Sequence, residues 1–240
     1  MTVIHETPTL DVERTLAERG YDLIVGFDEV GRGALAGPVM VGAAAIRAAD
    51  LPELQVPEGV ADSKTLTERR REALAGPLRD WCAASAVGQA SNTEIDEWGI
   101  SYALGVAALR ALTDVERRLG IDGSPAPADG GARPPRVGAI LDGPSDYITK
   151  ALNTFDAPSV PVPAHVVTKV KGDRHCATVA AAAVIAKVTR DHLMADLARS
   201  DDRYAPYEWE RNKGYGSEAH RRAIAEHGPT PLHRISWHLA

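Results

Sequence analysis

Apolar and polar positions along this chain follow two periods, one suited to strands and one to helices. Asp22 to Asp28 and Val39 to Ile46 are short, nearly continuous apolar runs separated by a turn rich in Gly and Pro, which predicts two buried strands joined as a hairpin. Cys82 to Ala90 is small and apolar enough for a third strand, and Val137 to Gly143 and His165 to Asp173 read as a fourth and fifth. Between them the period lengthens. "ERRREALAGPLRDW" predicts a helix capped by Thr67 and interrupted near Gly76-Pro77. Thr93 to Leu119 predicts a helix broken around Gly99, with Ile100, Leu104, Ala107, Ala108 and Leu112 on one face. A long alanine-rich helix is expected from just after Asp173 to about Arg199, and "NKGYGSEAHRRAIAEHG" predicts a loop followed by a last helix. Strands and helices in this order point to an α/β sheet.

One stretch has neither period. Gly120 to Pro135, "GIDGSPAPADGGARPP", is dense in Gly, Pro and Ala and is expected to be a flexible insertion, since the segment after it is core again. No internal repeat is visible.

Composition narrows the class. The chain has 240 residues, 44% hydrophobic and 25% charged, which is enough for a substantial core. "CATVAAAAVIA" is too short to span a bilayer, and "MTVIHETPTLDVER" lacks a signal-peptide pattern, so no membrane association and a cytoplasmic location are expected. Cys82 and Cys176 form no C-x-x-C pair and read as small buried hydrophobes rather than a zinc site or a disulfide. A net charge of −6 argues against a protein that coats nucleic acid nonspecifically. It leaves room for a nucleic-acid enzyme, with "ERRREA" and "HRRAIAEHGPTPLHR" as local basic clusters.

The candidate chemistry lies in carboxylates at strand ends. "LIVGF" delivers Asp28 and Glu29 into "VGRGALAGP", "VGAILDG" ends in Asp142, and "HVVTKVKGD" ends in Asp173. Functional groups in open α/β sheets gather at strand ends, so these acids are candidates to converge. Adjacent strand residues point to opposite faces, so Asp28 and Glu29 share a site only if the chain bends, and Gly31 and Gly33 would permit the bend. Three or four carboxylates with no His or Cys nearby form a hard oxygen cage suited to Mg²⁺ or Mn²⁺, and the chemistry to expect is phosphoryl transfer. Each acid also has a plainer reading: "LDG" alone is a turn, and Asp173 alone is a helix cap. "GRGALAG" lacks the ending of a Walker loop; its glycines instead let the backbone approach a sugar or phosphate closely.

The motifs "GFDEVGRGALAGPV", "DSKTLT", "EIDEWGI", "ILDG", "KGD", "AAAVIAKVTRD" and "NKGYGSEAH…EHGPTPLHRISW", in this order, make the chain resemble bacterial type 2 ribonuclease H from about Tyr21 to Trp237. The resemblance implies a ribonuclease H-like fold: a mixed five-stranded sheet flanked by helices, with a catalytic domain over residues 20–199 and a helical C-terminal extension over 200–240 that helps bind substrate. It implies that Asp28, Glu29, Asp142 and Asp173 are the catalytic and metal-binding acids. Gly31, Arg32 and Gly33 match a turn whose backbone senses a 2′-hydroxyl, Tyr215 a tyrosine that stacks on the next sugar, and Lys64 a phosphate contact. Asp191, in "TRD", is read as structural.

The implied function is an endonuclease that hydrolyses the RNA strand of RNA–DNA hybrids. It would also cut at single ribonucleotides embedded in duplex DNA, leaving 3′-hydroxyl and 5′-phosphate ends with two Mg²⁺ or Mn²⁺ ions. The substrate duplexes are the expected partners of a monomer, and a sliding clamp is left open as a further partner, although no clear clamp motif follows Arg234. The alternatives are a non-catalytic hybrid-binding module or another carboxylate-metal nuclease of the same fold. The chain departs from the family in the length of the 120–135 insertion and in alanines that replace the commoner serines after Asp173.

Overall fold

A computed structural model describes residues 7–61, 63, 66–124, 133 and 135–239. The chain runs α1 (Asp11–Glu18), β1 (Leu23–Val30), β2 (Val39–Arg47), α2 (Glu68–Trp81), β3 (Ala84–Ala90), α3 (Asn92–Trp98) and α4 (Ile100–Arg118). It continues with β4 (Val137–Asp142), α5 (Tyr147–Leu152), β5 (His165–Lys169), α6 (Gly172–His175), α7 (Ala177–Arg199), α8 (Trp209–Asn212) and α9 (Glu218–His227). The five strands form one mixed sheet of order β3-β2-β1-β4-β5, antiparallel from β1 to β3 and parallel from β1 to β5.

Strand alternation sends two sets of side chains to two helical layers. Val25, Phe27 and Leu141 pack with Leu104, Ala107 and Leu112 of α4, whereas Ile24 and Ile140 pack with Ala177 and Val179 of α7. Alanines in α7 and glycines in the sheet let the two come close. A Cβ on Gly26 would lie 2.3 Å from the Thr178 carbonyl carbon, and one on Gly42 would lie 2.4 Å from the Ala182 carbonyl oxygen. The alanines that depart from the family pattern are thus part of a tight helix–sheet contact.

Several expectations are corrected. The helix over 68–81 is not interrupted: α2 runs through Pro77, because Leu74, Ala75 and Leu78 are buried and that packing outweighs one lost backbone bond. β5 stops at Lys169, and Asp173 lies in α6 after Lys171, which adopts φ of 57°. The alanine-rich segment is likewise two helices, divided at the extended Cys176. Asp173 does not cap α7. That end is met by fully buried Glu13 of α1, whose Oε1 accepts bonds from the Thr178 amide at 2.9 Å and hydroxyl at 2.8 Å. Neither α1 nor α5 was expected. The break at Gly99 stands, with φ of 78°, and the Thr67 oxygen caps α2 at 3.3 Å from the Arg70 amide.

Both cysteines are free and buried, and burial pushes each thiol up to about 12, so they stay unreactive. The insertion is anchored at its ends. Ile121 packs on the main core, Gly123 sits against Pro161, and Arg133 pairs with Asp22 at 2.7 Å. Most of the insertion, 125–132 and 134, lies outside the described residues. No helix among the described residues is long and apolar enough to cross a membrane.

One buried acid makes stability depend on pH. Glu116 of α4 is fully buried; its Oε2 accepts the Val162 amide at 3.2 Å, and among the described residues its Oε1 has no partner. Burial raises its carboxyl from the ordinary 4.5 to about 7, so the protonated form is favoured in the fold. The resulting stability is present at acid pH and is lost as pH rises through 7. Glu116→Gln should therefore stabilise the protein by about 2–3 kcal/mol at pH 8 and much less at pH 5, read by urea denaturation. Equal changes at both pH values would rule this account out.

Candidate active site

Register brings two of the acids together. Phe27 pairs with Leu141 across parallel β1 and β4, so Asp28 and Asp142 follow as neighbours on strands that lie about 4.8 Å apart. Both fall on the α7 side of the sheet, in line with Ile24 and Ile140. The start of α6, which carries Asp173, is held at the same strand end, because the Gly172 amide just before it donates to Asp142 Oδ1 at 2.6 Å. Glu29 arrives differently. β1 continues to Val30, opposite Met40, so the expected bend between Asp28 and Glu29 does not occur. Glu29 projects to the other face, and there its Oε2 accepts the Tyr147 hydroxyl at 3.2 Å.

Tyr147 ties the two faces into one field, and sequence reading missed it along with α5. It is buried, and burial, then the charges of Glu29, Asp28 and Asp142, push its hydroxyl well above the ordinary tyrosine value. It therefore remains a proton donor to Glu29. The only signal for it was Asp146, which caps α5 by accepting the Thr149 amide at 2.9 Å. Among the described residues, no three His, Cys, Asp or Glu side chains are already drawn to the spacing that would hold a metal ion. The donor set is nevertheless all carboxylate oxygen, with neither imidazole nor thiolate among the four acids, and it fits a hard divalent cation.

The turn after β1 separates its two glycines. Gly31 has φ of +79°, and a Cβ there would lie 2.1 Å from Arg190 Nε, so the fold itself requires glycine. Gly33 is exposed, and a Cβ placed there would meet nothing within 4 Å. Among the described residues, neither its amide nor its carbonyl has a hydrogen-bond partner. Arg32 lies between them, its guanidinium 3.2 Å from Glu29 Oε1. It also lines a cleft of about 310 Å³ with Ser101, Tyr102, Ser145, Tyr147 and Lys150.

Two buried arginines hold this turn from beneath. Arg190 donates to the carbonyls of Pro38, Lys213 and Ala36 at 2.9, 2.9 and 3.2 Å. Arg234 donates to Arg32 at 2.9 Å, to Gly31 at 2.7 Å and twice to Gly37 at 3.1 Å. Burial and then the charge of Arg190 lower Arg234 to about 9, which leaves it cationic at neutral pH. Sequence reading placed "VTRD" and "LHRISW" in motifs without giving either arginine a role. A short stretch of the extension completes the turn: Ala34 bridges to Tyr215 and Ala36 to His233.

Tyr215 meets the same turn. Its hydroxyl accepts the Gly31 amide at 3.1 Å, and its ring stacks on the Arg190 guanidinium at 5.5 Å. Ring and hydroxyl are therefore both engaged. Asp191 is paired with Lys187 at 2.5 and 2.7 Å, one helical turn away, which agrees with a structural role. Lys64 lies outside the described residues.

A mixed five-stranded sheet with acids at the ends of its adjacent central strands defines a ribonuclease H-like nuclease. Comparison with known proteins makes this narrower. A family model for ribonuclease HII matches residues 25–119 and 143–240, leaving out the insertion and β4. Ribonuclease HII of Streptomyces griseus is 45% identical over 234 residues, covering 97% of this chain and 85% of that protein. Ribonuclease H2 from Pyrococcus horikoshii superimposes with a TM-score of 0.63 at 25% identity, over 91% of this chain and 95% of the other. The RNase HII of a PCNA:RNase HII complex from Archaeoglobus fulgidus does so at 0.61 and 25% identity, over 91% and 96%. The chain belongs to the ribonuclease HII family and is an endoribonuclease.

Proposed function

We propose that this endoribonuclease hydrolyses the RNA strand of RNA–DNA hybrids and cuts beside single ribonucleotides embedded in duplex DNA, leaving 3′-hydroxyl and 5′-phosphate ends. The observation that carries the reading is the juxtaposition of Asp28 and Asp142 on neighbouring strands, next to a turn whose exposed member is an unobstructed glycine. Asp28, Asp142, Asp173 and Glu29 would hold Mg²⁺ or Mn²⁺, and two such ions supply Lewis acidity to the phosphodiester and its attacking water. Tyr147 keeps Glu29 oriented by a hydrogen bond that it cannot lose to ionisation near neutral pH.

Selection of RNA falls to the turn. Gly33 is exposed, and among the described residues its amide and carbonyl are unengaged, which leaves them to a 2′-hydroxyl, both donor and acceptor. Arg32 and Lys150 in the adjoining cleft supply positive charge for the backbone of the duplex. Tyr215 would stack on the sugar beyond the ribonucleotide. The substrate duplexes are the proposed partners of a monomeric enzyme acting in the cytoplasm. A sliding clamp stays open as a further partner, although no clear clamp-binding motif follows Arg234.

The test compares duplexes with one ribonucleotide, with an uninterrupted RNA strand, and with none, with and without divalent metal. Cleavage of the first two alone, dependent on metal, is expected; cleavage of the all-DNA duplex would overturn the reading. Gly33→Ala refines it. Because the site around Gly33 is open, the variant should keep its stability to within about 0.5 kcal/mol. Its kcat/KM on the embedded ribonucleotide should fall on the order of tenfold, a loss of about 1.4 kcal/mol. Full activity would remove the turn from substrate recognition.

A further inference from the structure

The C-terminal extension contains two fully buried histidines, His220 in α9 and His233 in the tail. Their Nε2 atoms lie 3.0 Å apart, and contacts to groups that can only donate or only accept determine where every proton must be; the Thr230 hydroxyl, 2.9 Å from His233 Nδ1, can donate there and agrees with them. The Thr230 backbone amide, which can only donate, points at His233 Nδ1 at 2.8 Å. His233 Nδ1 must therefore be bare, and a neutral ring then carries its proton on Nε2. The Trp209 indole N–H, also only a donor, lies 3.1 Å from His220 Nε2, whose one lone pair must accept hydrogen bonds from both the indole and the His233 Nε2–H. His220 consequently carries its own proton on Nδ1. That atom lies 2.9 Å from the Tyr215 carbonyl, which can only accept.

These constraints agree with one another. They define one hydrogen-bonded chain running from the Thr230 amide through His233 and His220 to the Tyr215 carbonyl. Adding a proton to either ring would place N–H against N–H. Burial keeps both rings neutral, lowering His220 and taking His233 down to about 4; the charge of Arg221 further disfavours protonation of His220. The rings of Tyr207 and Trp209 pack around the pair at centroid distances of 5.0 and 5.5 Å from His233.

Two members of this chain, Tyr215 and His233, matter because both grip the turn after β1. Tyr215 bridges to Ala34 and bonds the Gly31 amide, and His233 bridges to Ala36. We propose that His220 and His233 are positioning residues, a proton-ordered strut that sets Tyr215 against the Gly31–Gly33 turn and so tunes recognition of the ribonucleotide. The inference rests on the role given above to Tyr215. It adds two residues that touch no substrate and act through the Tyr215 backbone.

Two experiments test it. In the first, kcat/KM on the embedded ribonucleotide is measured for His220→Leu, which loses the bond to Tyr215. It is also measured for His220→Asn, whose side-chain amide can replace the Nδ1 donor. Each variant's thermal stability is recorded alongside. The Leu variant should lose about tenfold, roughly one hydrogen bond and the order it imposes, and Asn should recover most of that loss. In a Tyr215→Ala background the Leu substitution should cost almost nothing more, whereas a general structural role would give additive losses. Additive losses, or no loss with Leu, overturn the strut while leaving the role of Tyr215 intact. If Tyr215→Ala itself loses nothing, that role fails and the strut with it. The second experiment needs no variant. Ring ¹⁵N shifts at about pH 6, near the ordinary imidazole pKa, should show His233 protonated on Nε2 alone and His220 on Nδ1 alone. Any other tautomer, or a charged ring, overturns the assignment.

Discussion

Asp28→Asn and Asp142→Asn are each expected to reduce cleavage by on the order of 10³-fold or more, a loss of about 4 kcal/mol or more in transition-state stabilisation, while hybrid binding survives. The two side chains occupy matched positions on neighbouring parallel strands, so each substitution removes charge from the centre of an all-oxygen donor set. The change is isosteric and leaves the Gly31–Gly33 turn and Tyr215 in place. A second readout separates lost metal affinity from misfolding. Divalent metal that binds only the folded state raises its melting temperature. The wild-type protein should therefore gain thermal stability in Mg²⁺ or Mn²⁺, and both variants should gain little while melting no lower than wild type without metal. Near-normal turnover by either folded variant, or an undiminished shift with metal, would defeat the assignment.

Arg234→Ala is expected to cost about 3–5 kcal/mol of stability, because it strips four donor bonds from carbonyls of Gly31, Arg32 and Gly37, those to Gly31 and Gly37 buried. For a chain of this size that lowers the melting temperature by on the order of 10 °C. Arg234→Lys should recover little, since a single ammonium cannot match the planar fork that reaches three residues at once. Because those carbonyls belong to the turn itself, Arg234→Ala should also slow cleavage at temperatures where it is still folded. A cost below about 1 kcal/mol, or a Lys variant equal to wild type, would show that the turn holds its shape without this guanidinium.

Much of the architecture was readable in advance because its signals are local. Five apolar runs became five strands, the stop at Gly99 followed from a residue that accepts φ of 78°, and Thr67 capped α2 as its side chain allows. The errors share a physical cause, the priority of packing over local propensity. Pro77 reads as a breaker, yet α2 passes through it because its flanking face is buried. Asp173 reads as the end of a strand or a cap, yet β5 stops at Lys169 and the capping task falls to Glu13, from a helix at the other end of the chain. Tyr147 had no motif to mark it and became visible only when α5 docked it beside Glu29.

The sequence by itself determined the family and the succession of strands along the chain, and it marked the four acids as candidates, because residue type and apolar period are properties of short stretches. Only the tertiary structure decided how those acids are arranged: Asp28 beside Asp142 on one face, Glu29 on the other, with Tyr147 bonded to Glu29 and within the field of all three. It likewise decided that Gly31 serves the fold while Gly33 is left open, and that two arginines and two histidines from distant segments hold the turn they flank. Strand register and long-range hydrogen bonds arise from the joint burial of segments far apart in sequence, and no local pattern encodes which atoms will meet.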